Sequence, residues 1–297
     1  MMKSIKTVAF IGAGNMGAPM ARCVRRGGFD LIICDRSAAV RESFAREGVA
    51  TTSEVKDCAE ADAIIVLLAN DAQITDALLG DGGLVHAIPS GHQPIVCMMS
   101  TTLPATLRRL EAPLVAAGAR LLDAPVSGGV VGAQEGTLTI MLGGAVSEAE
   151  LARPLMQAMG SRIFHCGALG SAQVAKIINN MICVANIYLT AEAIELAQAH
   201  GVSLESFAPI LDVSTGRNFV TADAALGRAQ FRAWSPTEDA YPDIHRIVAK
   251  DLHLALALSE QAGIAPGLLK QVSSYVDNHG PNEASRWTSA GRTPQSG

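Results

Sequence analysis

Lys176, Asn179 and Asn180 are spaced i, i+3 and i+4, which puts a cation and two amides on one face of a helix. The run from Ser171 to His200 contains no proline, and around this triplet it is apolar: Ile177, Ile178, Met181, Ile182, Val184, Ile187 and Leu189. A lysine whose stem lies along apolar surface while its head stays in water is the ordinary explanation of such a cation. The chemical explanation is a general acid/base. A lysine beside apolar walls gives up its proton more readily, and an amide one turn on can orient a substrate oxygen.

A second set of residues suits a dinucleotide. The turn Gly12, Ala13, Gly14, Asn15, Met16, Gly17 follows the apolar stretch Ile5–Ile11 and opens a helical segment from Ala18 to Arg26. In that context the glycines let backbone N–H groups approach a pyrophosphate at a helix N-terminus. Asp35 ends the next apolar run, Leu31–Cys34, where a carboxylate accepts hydrogen bonds from the adenosine ribose. It stands where a 2′-phosphate would sit, so NAD is expected over NADP. Arg36 and Ser37, both able to contact a phosphate, moderate that preference.

Elements must hold these groups in place. Apolar runs at 61–68, 94–99, 120–126, 137–144 and 162–167 alternate with helical segments, the rhythm of a doubly wound parallel sheet. Ligands of such sheets lie at the strands' carboxyl ends, here Ala69-Asn70, Ser100-Thr101 and Ser127-Gly128-Gly129. Two consecutive glycines at the last of these expose N–H donors to an anion such as a carboxylate. After Gly167 the pattern is helical almost to the end. The expected α/β architecture is an N-terminal Rossmann-type dinucleotide-binding domain, 1–166, and an all-helical substrate and oligomerisation domain, 167–297, joined by a long interdomain helix. The tail from about residue 289 has little to bury and is expected to be disordered.

Bulk properties narrow the classes. A chain of 297 residues is long for one core. Its net charge of −5 gives no nucleic-acid footprint, and no stretch approaches the ~20 uninterrupted apolar residues of a membrane span. Six scattered cysteines without a CxxC pair fit a reducing cytoplasm and no metal. The apolar surplus of the long helix predicts a homodimer or homotetramer. Arg217, in the polar turn Ser214–Asn218, either faces an acid substrate or belongs to an exposed turn. His245 and His253 lack a second ligand at metal spacing and read as helix-face histidines.

Four segments in order, GAGNMGAPMA (12–21), DAPVSGG (123–129), GALGSAQVAKIINN (167–180) and KDLHLAL (250–256), resemble the motifs of the β-hydroxyacid dehydrogenases, which include 3-hydroxyisobutyrate dehydrogenase and tartronate semialdehyde reductase. The resemblance implies an NAD(P)-dependent oxidoreductase exchanging a hydride with a small β-hydroxy acid. By the same resemblance Lys176 is the acid/base, and Ser127, Gly128, Gly129 and Asn180, with Asn179 beside it, bind the substrate. Thr101 and Lys250 lie near the nicotinamide, and Leu68, Ala69 and Asn70 pass under the cofactor. The chain departs from the family where Ala69 replaces a frequent proline and Met98 a frequent aspartate. An imine reductase on the same scaffold commonly replaces the lysine, and a silent dinucleotide-binding module loses its proton donor. Lys176 and the Ser127–Gly129 turn argue against both.

Overall fold

The computed structural model describes residues 4–278 and 282–292. The chain divides into two compact units, Met1–Lys176 and Ile177–Gly297. The division falls inside the long helix, whose first turn carries Ala172 and Gln173, both buried, in the first unit.

In the first unit β1 (Thr7–Ile11), β2 (Asp30–Cys34), β3 (Ala50–Thr52), β4 (Ala63–Val66), β5 (Ile95–Met98) and β6 (Arg120–Asp123) pair in parallel in the order β3-β2-β1-β4-β5-β6. Their crossovers carry α1 (Gly17–Arg26), α2 (Ala38–Arg46), α3 (Asp71–Leu79) and α4 (Pro104–Ala116). Both sheet faces are covered, so the strands read as unbroken apolar runs. Val8 and Phe10 enter one core while Ala9 and Ile11 enter the other, and the same alternation repeats along β4 and β5. Each buried Ile or Phe contributes roughly 1.5–3 kcal/mol relative to exposure.

Beyond β6 the expectation of a purely parallel sheet fails. β7 (Val126–Ser127) continues β6 past a break at Ala124-Pro125, then α5 (Gly129–Glu135) leads into β8 (Leu138–Gly143), which is antiparallel to both. The connection between β7 and β8 is shorter than the dozen or more residues a parallel crossover takes, so the chain turns back on itself. α6 (Val146–Gln157) and β9 (Gly160–Gly167), parallel to β8, complete a nine-stranded sheet.

The long helix α7 (Ser171–Ala199) starts in the first unit, and its later turns join α8 (Leu204–Asp212), α9 (Ala224–Trp234), α10 (Tyr241–Gln261), α11 (Gly267–Asp277) and α12 (Glu283–Gly291) in the second. By length and composition α7 is apolar enough to cross a membrane. Its face Val184, Ile187, Tyr188, Ala191 and Ile194 belongs to the core of the helical unit, whereas Ile178, Ile182, Leu189 and Leu196 are exposed. Within this chain one stripe is therefore buried, and these four other apolar positions are exposed.

Aromatic residues organise this second core. All three tyrosines (Tyr188, Tyr241, Tyr275) and both tryptophans (Trp234, Trp287) of the chain lie in the helical unit. Trp287 is fully buried, with ring centroids of Tyr188, Tyr241, Phe231 and Trp234 at 5.1, 5.5, 5.6 and 5.9 Å. Buried Arg228 ties helices together, donating from Nε and Nη2 to Glu205 at 2.6 and 2.9 Å and from Nη1 to the Arg292 carbonyl at 2.5 Å. Its guanidinium holds the Glu205 carboxyl below the usual carboxylate range.

The disorder expected from about residue 289 does not begin there. Ser289–Gly291 form the last turn of α12, Ala290 is buried, and a Cβ on Gly291 would meet the Arg232 nitrogen at 2.9 Å. Residues 293–297, and Gly280 and Pro281 of the C-terminal segment, lie outside the described residues.

Candidate active site

The glycine turn between β1 and α1 is forced by close packing. Gly12 has φ +94°, and a Cβ there would lie 2.4 Å from the Leu67 carbonyl oxygen; one on Gly17 would lie 2.5 Å from the Gly12 carbonyl oxygen. Gly14 differs. A Cβ there meets nothing within 4 Å, and Gly14 and Asn15 are exposed while Met16 is half-buried. Helices α2 and α3 are capped by Ser37 and Asn70 side chains, but no side chain caps α1 and no acidic residue stands in its first turn. An uncapped helix N-terminus beneath a turn with room above it suits a pyrophosphate.

Asp35 is fixed at the end of β2. Its Oδ2 accepts from the Ala13 N–H and its Oδ1 from the Ser37 N–H, both at 2.8 Å. Arg36 donates from Nη2 to Asp76 Oδ2 of α3 at 2.7 Å. Beyond β4, the Leu68 N–H donates to Ser100 Oγ at 2.7 Å, the Ala69 N–H to Gln73 Oε1 at 3.2 Å, and Asn70 Oδ1 accepts from the Gln73 N–H at 2.9 Å. The Asn70 side chain is thus used as a helix cap. Half-buried Thr101 lies between Ser100 and Thr102, whose hydroxyl donates to Asp71 at 2.5 Å.

Lys176 is buried, 9 % exposed, in the second turn of α7. Two residues that sequence reading passed over hold the start of that helix. Asp123, wholly buried at the end of β6, accepts from the Gly170 and Gln173 N–H groups, each at 2.9 Å. Gln173, also wholly buried, donates from Nε2 to the Ser100 carbonyl at 2.9 Å and accepts from the Thr102 N–H at 3.1 Å. Burial raises the Asp123 carboxyl against the lowering effect of these N–H donors. A carboxylate at a helix N-terminus is favoured by the helix dipole. The signal was available: Asp123 opens the DAPVSGG segment, and an acidic residue inside an apolar strand needs a partner.

Ser127 is half-buried and Gly128 and Gly129 are exposed beyond β7. Both glycines have positive φ, +134° and +65°, and nothing lies within 4 Å of a Cβ on Gly129. A turn of this kind presents consecutive N–H donors. These groups, the glycine turn, Asp35, Leu68–Asn70, Thr101 and Lys176 all belong to the first unit.

In the helical unit, exposed Asn179 donates from Nδ2 to Asn180 Oδ1 at 3.2 Å, and Asn180 Nδ2 donates to Asp251 Oδ2 at 2.7 Å. The other oxygen of buried Asp251 lies 3.3 Å from Lys250 Nζ. Asp251 is a third residue the sequence reading missed: it joins the two amides to Lys250. Arg217 is not drawn into this group. Its Nε pairs with Asp212 Oδ1 at 2.9 Å on an exposed turn. His245 Nε2 bonds the Val276 carbonyl oxygen at 2.8 Å and His253 pairs with Asp277 at 2.9 Å.

A doubly wound sheet with a glycine turn opening its first helix, an aspartate at the end of its second strand and a buried lysine on a helix anchored to the sheet has the layout of a dinucleotide-binding dehydrogenase. Residues 7–167 match the family described as the NAD binding domain of 6-phosphogluconate dehydrogenase, and residues 170–286 that described as the NAD-binding domain of NADP-dependent 3-hydroxyisobutyrate dehydrogenase. The chain belongs to the β-hydroxyacid dehydrogenase family, 3-hydroxyisobutyrate dehydrogenase type: NAD(P)-dependent oxidoreductases that exchange a hydride with a small hydroxy acid. It is 38 % identical over 216 residues to an NAD-dependent L-serine dehydrogenase of Pseudomonas aeruginosa, 72 % of each chain. Against the mitochondrial 3-hydroxyisobutyrate dehydrogenase of Rattus norvegicus it is 38 % identical over 217 residues, 73 % of this chain but 64 % of that one. A solved Mycobacterium tuberculosis 3-hydroxyisobutyrate dehydrogenase with L-serine superposes with a TM-score of 0.76 at 29 % identity, covering 92 % of this chain and 93 % of that one.

Proposed function

We propose that the chain oxidises a small β-hydroxy acid, of the kind represented by serine and 3-hydroxyisobutyrate, with NAD preferred over NADP. The observation that carries this reading is Lys176, buried in the second turn of a helix whose first turn is clamped to the dinucleotide-binding sheet by Asp123 and Gln173. The bound nicotinamide supplies the hydride acceptor. Lys176 takes the hydroxyl proton during oxidation and returns it during reduction. Ser127 and the N–H groups of Gly128 and Gly129 hold the carboxylate, and Asn180, one turn beyond Lys176, hydrogen-bonds the reacting oxygen with Asn179 behind it. The backbone of Gly12–Gly17 binds the pyrophosphate, Asp35 the ribose, and Leu68–Asn70 line the dinucleotide. Thr101 and Lys250 are assigned to the nicotinamide on the family resemblance, and Arg217, a candidate only for its polar loop, keeps at most a peripheral substrate contact because it pairs with Asp212. The exposed apolar residues Ile178, Ile182, Leu189 and Leu196 support a homodimer or homotetramer, and six free cysteines support a cytoplasmic setting.

The test is Lys176→Ala. Turnover on β-hydroxy acids falls by ~10²–10⁴ while dinucleotide affinity measured by calorimetry stays within about twofold. Near-normal kcat would make Lys176 a packing residue and sink the mechanism.

A further inference from the structure

The ion pair between Arg36 and Asp76 joins two loops that the fold keeps apart. Arg36 follows β2, Asp76 lies in the second turn of the helix after β4, and the two strands flank β1 on opposite sides. The 2.7 Å contact therefore bridges the loops on either side of β1. The backbone beneath is fixed: Arg41 Nη1 donates to the carbonyl oxygens of Asp35 and Arg36 at 2.7 and 3.0 Å, and both Asp35 oxygens are held by N–H groups. Only the Arg36 side chain is left to choose a partner.

In a doubly wound domain this end receives the adenosine ribose, and an arginine beside the ribose carboxylate is the group that accommodates a 2′-phosphate. Asp76 engages that guanidinium. We infer that Asp76 is a specificity-determining residue for the coenzyme: it holds Arg36 away from a 2′-phosphate and so biases the protein toward NAD. The inference rests on the dinucleotide-binding reading of this edge. Its size is bounded, because both side chains are mostly exposed, 79 and 62 %. Exposed pairs are weak, so release of Arg36 changes affinity by about fivefold at most.

The experiment measures dissociation constants for NADP and NAD by calorimetry on the full chain, for the unsubstituted protein, Asp76→Asn, Arg36→Ala and the double variant. Asp76→Asn tightens NADP about three- to fivefold and leaves NAD within about twofold, and most of that gain disappears when Arg36 is alanine. An unchanged NADP-to-NAD ratio, an equal gain for both dinucleotides, or a gain that survives in full without Arg36 overturns the inference. Binding of neither dinucleotide to the unsubstituted protein would instead remove the reading of this edge on which it rests, and the inference with it. Asp76 is exposed, so the substitution leaves the fold intact and all four proteins can be compared.

Discussion

Replacing Asp123 with alanine tests whether the clamp on α7 is what presents Lys176. The carboxylate is wholly buried and satisfies two backbone N–H groups, of Gly170 and Gln173, at 2.9 Å. Leaving a buried donor unpaired costs about 1–3 kcal/mol, so two of them cost roughly 2–6 kcal/mol. Part is offset, because burial already disfavours the charged carboxylate and raises its protonation. The expected net loss is about 3 kcal/mol, read from the urea midpoint by circular dichroism at unchanged m-value. Asp123→Asn, which keeps one acceptor, loses about half of that. Lys176 follows Gln173 by one helical turn, so a loosened first turn misplaces the amine, and kcat falls by about 10²-fold in Asp123→Ala. Stability within about 0.5 kcal/mol of the parent, the ordinary range for a surface change, would refute the claim that these bonds anchor the helix. A large stability loss with unchanged kcat would refute the link to Lys176.

Two other substitutions separate fold from ligand binding. Gly14→Ala leaves the thermal midpoint nearly unchanged, since its Cβ meets nothing within 4 Å, yet weakens dinucleotide binding by at least about tenfold, ~1.4 kcal/mol. Gly12→Ala, with φ +94° and the Leu67 carbonyl oxygen 2.4 Å from the new Cβ, lowers the midpoint and the affinity together. The Arg228–Glu205 pair gives a pH dependence of definite sign. Its carboxyl is depressed from 4.5, so its contribution is present above that value and is lost as pH falls through the lower folded value. The midpoint difference between the parent and Glu205→Gln, less than about 1 kcal/mol because Glu205 is half exposed, therefore shrinks below pH 4.5. A difference that grows on acidification contradicts this assignment.

The parallel half of the sheet was legible because each of its longer strands is buried on both faces and reads as an apolar run. β3, only Ala50–Thr52, is too short to leave a pattern, and the break of one apolar run at Ala124-Pro125 is visible only in the pairing with β8. The site residues came from local spacing: Lys176 with its amides, the glycine turn, Asp35. Asp123, Gln173 and Asp251 were missed because what they do depends on partners 47 to 73 residues away in sequence. The helical turn Ser289–Gly291 was misread for a related reason. Its burial is supplied by α9, which no local window contains.

The placement of every tyrosine and tryptophan in the helical unit makes the molecule two-coloured to light. Excitation at tryptophan wavelengths reports the packing around Trp287 and is blind to the sheet, whose strands are visible in far-ultraviolet dichroism. Damage confined to the nucleotide unit, as in Asp123→Ala, shifts the dichroism curve, and it shifts the fluorescence curve equally only if the two units melt as one. Superposition of the two transitions is thus a direct readout of whether the helix shared by both units couples them into a single cooperative fold.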